Sequence, residues 1–221
     1  MITSFFLTNN RLPFFDIAKK LLSQNDKILD IGPGNGNFAS YINRKDTYFF
    51  EGNPISVNLL KKSYKNLYLG QLPLLPFQDN YFNLIHMSHV IEHLTPQVVY
   101  ETLKEMDRCC INGGVIVISA PLLWEGFYDD LSHVKPYNPK IFFKYMCGID
   151  MGNLSRDAIS DKYSVEQISY RLREKKYFYG IKSSKNIILK MTYNIYDFLR
   201  KSGMKKTFKS GYTIVLRKAS N

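Results

Sequence analysis

Three strings hold the residues best suited to chemistry. In KILDIGPGNGNF, Gly32, Gly34 and Gly36 follow Asp30 at two-residue intervals. Glycines so spaced allow a tight turn and let a ligand approach the backbone closely. Glu51 stands 21 residues beyond Asp30, about where an acid that binds ribose hydroxyls is expected. In IHMSHVIEHL, which carries three of the four histidines, His89, Glu92 and His93 form His-x-x-Glu-His. On a helix that spacing puts both imidazoles on one face, as a zinc site requires. Its place directly behind a strand favours another reading, in which Glu92 and His93 start a helix and line a pocket, and no metal is expected. In DDLSHVKPY, His133 lies three residues after Asp130. An imidazole titrates near neutrality and serves as a base, and a nearby carboxylate can orient the ring.

These strings need elements to position them. Apolar residues at Phe14, Ile17, Ala18, Leu21 and Leu22 predict a helix over 13–22, within an N-terminal helical segment 1–26. Strands are predicted at 27–31, 47–51, 67–69, 82–87 and 115–119. They alternate with helices at 35–43, 54–62 and 96–110, the second capped by Asn53. Such alternation implies βαβ units and a parallel sheet covered on both faces. Residues 121–161 lose this rhythm and read as a substrate loop or lid. Its Trp124, Phe127, Tyr128 and Tyr137 serve either as an apolar wall for substrate or as ordinary packing. A helix near 139–146, a strand near 165–172, a helix near 184–202 and a closing strand at 212–217 complete the expectation.

Gly-x-Gly-x-Gly departs from the Gly-x-Gly-x-x-Gly of dinucleotide sites and resembles motif I of class I S-adenosylmethionine-dependent methyltransferases. The string GQLPLLPFQDNYFNLIHMSHVIEHL is similar to the stretch those enzymes carry between their third strand and the helix after the fourth. The resemblance covers residues 27–121. It implies an α/β, Rossmann-like fold: a mostly parallel seven-stranded sheet with helices on both faces and an antiparallel last strand, in one domain over 1–221. It also implies S-adenosylmethionine as cofactor. Asp30 and Gly32, Gly34 and Gly36 then meet the methionine end, and Glu51 meets the ribose. Gln71 stands where an aspartate commonly meets the adenine amino group, and Gly52, Leu72, Ser88 and His89 complete the expected contacts. Gln71 and Asn83 depart from the family pattern, although a glutamine carbonyl also accepts from an amino group. Many small-molecule and sugar methyltransferases carry a segment similar to Asp-x-x-His-Val here, which implies His133 as base or substrate contact and Asp130 as its partner.

Charge is divided unevenly. Residues 1–169 hold 16 Lys or Arg against 17 Asp or Glu, and residues 170–221 hold 14 against 2. The basic C-terminal part implies an anionic partner: phosphate, a membrane surface or nucleic acid. Three cysteines, Cys109, Cys110 and Cys147, form neither a disulfide framework nor a Cys-x-x-Cys metal pair and read as reduced thiols. No apolar run reaches the roughly 18 residues that span a bilayer, and the N-terminal residues lack a secretory pattern. A cytoplasmic protein, peripheral at the inner membrane surface, is expected. Its expected reaction is O-methylation of a sugar or other small polar acceptor, phosphate- or lipid-linked, in polysaccharide biosynthesis or secondary metabolism. The alternatives are methylation of RNA or another anionic macromolecule, and a catalytically silent binding protein, the reading fed by Gln71 and Asn83.

Overall fold

The computed structural model describes residues 1–149, 152, 154–174, 186–203 and 206–220. Along the chain run β1 (Ile2–Leu7), α1 (Leu12–Lys19), β2 (Ile28–Ile31), α2 (Asn37–Ile42), β3 (Tyr48–Glu51), α3 (Pro54–Leu60) and β4 (Leu67–Leu69). Then come β5 (Phe82–Ser88), α4 (Pro96–Cys109), β6 (Cys110–Pro121), α5 (Lys140–Tyr145), β7 (Tyr163–Glu174), α6 (Ile187–Lys201) and β8 (Thr207–Lys218). The strands form one sheet in the order β1-β7-β8-β6-β5-β2-β3-β4. Only β8 runs against its neighbours, lying antiparallel to both β6 and β7.

The α/β architecture and the antiparallel last strand are as expected, but the sheet has eight strands where seven were anticipated. The extra one is β1, in the segment read as part of an N-terminal helical region. Ile2, Thr3, Phe5 and Phe6 are β-branched or aromatic, types that fit a pleated edge. Strand β1 pairs in parallel with β7, and Ser4 Oγ lies 2.7 Å from Ser169 Oγ.

Strand alternation sorts the core into two layers. From β2, Leu29 and Ile31 face the layer that holds Leu103 and Met106 of α4 and Phe142 of α5. Ile28 faces the opposite layer, with Phe14 and Phe15 of α1 and Phe38 of α2. Helix α4 buries Val99, Thr102, Leu103, Met106 and Cys109, the three-to-four spacing of an amphipathic helix. Thr95 caps it and Pro96 occupies its first turn, where a missing N–H is harmless. The sheet thus fixes the carboxyl ends of β2, β3, β5 and β6 side by side, and the chemistry-bearing strings emerge there.

Candidate active site

The turn after β2 needs all three of its glycines, each for a different reason. All have positive φ, +64° at Gly32, +55° at Gly34 and +71° at Gly36, a conformation side chains resist. A Cβ on Gly32 would stand 2.3 Å from Val90 Cγ2, and one on Gly36 would stand 2.8 Å from Leu60 Cδ2. At Gly34 nothing lies within 4 Å, so its backbone is open to a ligand.

That opening belongs to a cleft of about 400 Å³, within the range of about 300–1,000 Å³ typical of small-molecule sites. Of the residues the sequence suggests as cofactor contacts, Gly32, Gly34, Glu51, Gly52, Gln71, Leu72 and His89 line it. Asn53, Val90, His93 and Leu94 line it too. Glu51 Oε2 accepts from the Gly34 amide at 3.3 Å, and Oε1 accepts from the Asn53 amide at 2.8 Å. Each oxygen keeps a further lone pair for a hydroxyl donor.

Asp30, Gly36 and Ser88 do not line the cleft. Strand alternation turns Asp30 toward the α1/α2 layer, where its Oδ1 pairs with His86 Nδ1 at 2.7 Å and both side chains are buried. His86 in turn stacks on Phe38, with ring centroids 3.8 Å apart. Gly36 caps α2, and Ser88 sits in register with Ser119 inside the sheet.

His89, Glu92 and His93 do not share a helical face. His89 has φ +58°, and Ile91–His93 form a single 3₁₀ turn ahead of α4, so the four-residue spacing carries no common direction here. His89 donates from Nδ1 to Glu92 Oε1 at 3.0 Å, and its Nε2 accepts from the Arg171 guanidinium at 3.2 Å. Burial pushes the His89 pKa below its ordinary value, consistent with a neutral ring. Burial, joined by repulsion from Arg11 and Arg173, lowers the Arg171 pKa to about 10. Glu92 is buried, and its Oε2 has no partner among the described residues.

The loop after β6 is tied to this turn. Val134 and Lys135 amides donate to the Glu92 carbonyl at 2.8 and 3.2 Å, and Tyr137 Oη donates to the Leu94 carbonyl at 2.9 Å. His93 Nδ1 donates to the Ser132 carbonyl at 3.1 Å, and His133 Nδ1 donates to the Phe127 carbonyl. Both rings therefore present Nε2 as a lone pair, with centroids 4.9 Å apart. The orienting partner of His133 is a backbone carbonyl and not Asp130. Asp130 Oδ1 accepts from the amide and hydroxyl of Ser132, contacts that hold its pKa below the ordinary value, and its nearest oxygen is 3.9 Å from His133 Nε2.

The aromatics of the loop differ in burial, and none lines the cleft. Phe127 and Tyr137 are core residues, whereas Tyr128 is exposed. Trp124 stacks near Phe208 and lies under the Arg173 guanidinium, 4.7 Å from its ring centroid.

Comparison with known proteins decides the family. Residues 7–145 match the family described as Methyltransferase domain. The chain belongs to that family. This methyltransferase is 28% identical over 172 residues to the ubiquinone/menaquinone biosynthesis C-methyltransferase UbiE of Neisseria meningitidis, a match covering 70% of this chain and 64% of that protein. Among solved structures it resembles a SAM-dependent methyltransferase from Archaeoglobus fulgidus, with TM-score 0.60 and 19% identity over 94% of this chain and 92% of that one. It resembles the YcgJ protein of Bacillus subtilis equally, with TM-score 0.60 and 14% identity over 94% and 98% of the two chains. At such identities the likeness establishes the fold.

Its cofactor is S-adenosylmethionine, and the cleft fits that molecule. The backbone at Gly34 is open, Glu51 keeps lone pairs for ribose hydroxyls, and Gln71 stands at the cleft with an amide suited to an adenine edge.

Proposed function

We propose that this methyltransferase methylates a hydroxyl on a small polar acceptor that carries an anionic group, with a phosphate-bearing or lipid-linked sugar as the substrate class. The observation that carries this reading is a pairing beside two residues that line the cleft, His89 and His93. His93 and His133 offer Nε2 lone pairs, while the Arg171 guanidinium donates to His89 and the Arg173 guanidinium lies over Trp124. The Nε atoms of both arginines are buried and lack a partner among the described residues. Arg11 adds a third cation to their surroundings, and Glu92 is the acid near Arg171. An acceptor phosphate supplies negative charge and acceptor oxygens for these donors.

S-adenosylmethionine supplies an electrophilic methyl group on a sulfonium. The protein's part is to align the acceptor and to receive its proton. Glu51 and the glycine turn hold one partner, the arginines hold the anionic end of the other, and His133 receives the hydroxyl proton on Nε2. The relative named as a C-methyltransferase supports a second reading, an acceptor carbon on an activated ring, which must also shed a proton.

The test is a methyl-transfer assay, corrected for cofactor hydrolysis, against sugar nucleotides, lipid-linked glycans, neutral sugars, ring acceptors and RNA. Turnover on phosphate-bearing sugars, with an O-methyl signal in the product by NMR, is the expected result. Preference for neutral sugars or RNA, or a C-methyl product, overturns it.

A further inference from the structure

We propose that Glu92, His93 and His133 form a divalent-cation site at the acceptor end of the cleft. One donor atom from each residue lies within 4.8 Å of the other two. Donors about 2.0–2.2 Å from a tetrahedral ion lie about 3.3–3.6 Å apart, so the widest separation has to close by at most about 1.5 Å. His93, partly exposed on a 3₁₀ turn, has room to make that adjustment. The second observation is independent of the cluster: Glu92 is 1% exposed, and its Oε2 is buried with no hydrogen-bond partner among the described residues. A buried carboxylate oxygen without a donor is costly, and a bound cation removes that cost.

Outer contacts point the same way. Ligating imidazoles generally donate their other ring N–H to a carbonyl or carboxylate, and ligating carboxylates are themselves hydrogen-bonded. His93 donates to the Ser132 carbonyl, His133 to the Phe127 carbonyl, and His89 to Glu92 Oε1. His89 is not a ligand, since both its nitrogens are engaged. The set therefore differs from the His-x-x-Glu-His spacing and joins two segments about 40 residues apart in the chain. Two imidazoles and one carboxylate suit the Mn²⁺ to Zn²⁺ series better than Ca²⁺ or Mg²⁺, which take all-oxygen shells. Three protein ligands leave open positions for an acceptor oxygen. This rests on the reading of the cleft as an acceptor site and changes the part of His133: its lone pair would hold the cation, and the cation would make the bound hydroxyl acidic enough to release its proton to water in place of His133.

The experiment titrates chelator-stripped protein with Zn²⁺, Mn²⁺ and Co²⁺ by calorimetry and follows the visible absorption of bound Co²⁺. One ion per chain is expected, with Glu92→Gln and His133→Asn each weakening binding by at least about tenfold. Glu92→Gln preserves volume, and His133→Asn lies in a loop, so the second variant remains informative if the first does not fold. S-adenosylmethionine binding is measured on the same samples. Cofactor binding without metal binding, or metal binding that both variants retain, overturns the cation site alone. Absence of cofactor binding counts against the methyltransferase reading instead.

A different observation carries a second inference, independent of acceptor and cation. In α6, Ile187, Ile188, Met191, Ile195 and Phe198 recur at helical spacing and are each between 59% and 72% exposed. The connection 175–206 that contains the helix holds nine Lys or Arg against one Asp. We infer that α6 lies on an anionic lipid surface, with its apolar stripe in the headgroup boundary and the basic residues meeting lipid phosphates. Strand β7 runs parallel to β6, so the connection leaves the sheet at the edge where the cleft opens. Flotation with vesicles of phosphatidylcholine alone, or mixed with phosphatidylglycerol, tests it. Binding to the mixed vesicles that weakens with salt and is lost in Phe198→Glu and Ile195→Glu is expected. Indifference to phosphatidylglycerol, unchanged binding in both variants, self-association through α6 by light scattering, or preferential binding of RNA overturns it.

Discussion

The cofactor end and the acceptor end of the cleft are built by different means. At the cofactor end each group sits on or directly after a strand, and its partners are close in sequence: the Gly34 amide meets Glu51 17 residues on, and Asn53 meets it from two residues away. At the acceptor end the groups are brought together by long connections, Arg171 with His89 across 82 residues and His93 with Ser132 across 39. Sheet geometry alone places the first set. The second depends on a loop hung from a 3₁₀ turn, and is where substrate choice can change without disturbing the fold.

This contrast can be broken by separating affinity, turnover and stability. The largest effect is expected at the acceptor end: His133→Ala lowers turnover by about 10² to 10⁴ and leaves S-adenosylmethionine affinity nearly unchanged by calorimetry. Wild-type turnover in that variant removes the imidazole from the chemical step. Next comes Asp30, which the structure assigns to the buried pair with His86. Asp30→Ala is expected to lower unfolding free energy in urea by about 3 to 5 kcal/mol, with any loss of cofactor affinity in the surviving fold smaller than that. A variant of normal stability that fails to bind the cofactor returns Asp30 to the site.

A smaller change is expected at Glu51. Its replacement by Ala costs about 1 to 3 kcal/mol of cofactor binding with unchanged thermal stability, and equal affinity would detach it from the ribose. Smallest is Tyr137→Phe, which leaves the Leu94 carbonyl without its donor and is expected to cost about 0.5 to 1.5 kcal/mol of stability. If the loop positions only the acceptor, KM for the acceptor rises in this variant and that for the cofactor does not. Parallel rises would mean that the two ends of the cleft are one mechanical unit.

Legibility from sequence follows the same division. The glycine turn, Glu51, Gly52, Gln71 and Leu72 were readable because a strand-turn-helix fixes where its residues emerge. Asp30 lies outside the cleft lining because strand alternation sends its side chain to the opposite layer from Leu29 and Ile31, where it meets His86. Three-residue spacing suggests an Asp130–His133 pair, whereas the Asp at this turn bonds Ser132 at shorter range. The Phe127 carbonyl that orients His133 leaves no trace in residue types. Arg171 and Arg173 read from sequence as part of a basic C-terminal segment, and only the folded chain brings the Arg171 guanidinium to His89, a residue that lines the cleft. Part of the helix expected at 184–202 lies outside the described residues, and α6 accounts for 187–201.

The pairing of β1 with β7 also bears on how the chain is made. Ile2 is in register with Gln167, and β7 is held to the rest of the sheet only through β8, which ends at Lys218. A ribosome adding about 5 to 20 residues per second takes roughly 10 to 40 seconds to proceed from the first strand to the end of β8. Throughout that interval the segment ITSFFL has no strand to join, although α1 and the five strands from β2 to β6 can already assemble behind it. The residues of β1 are thus made long before they find their place, and a chaperone that shelters apolar segments would have a long hold on this one.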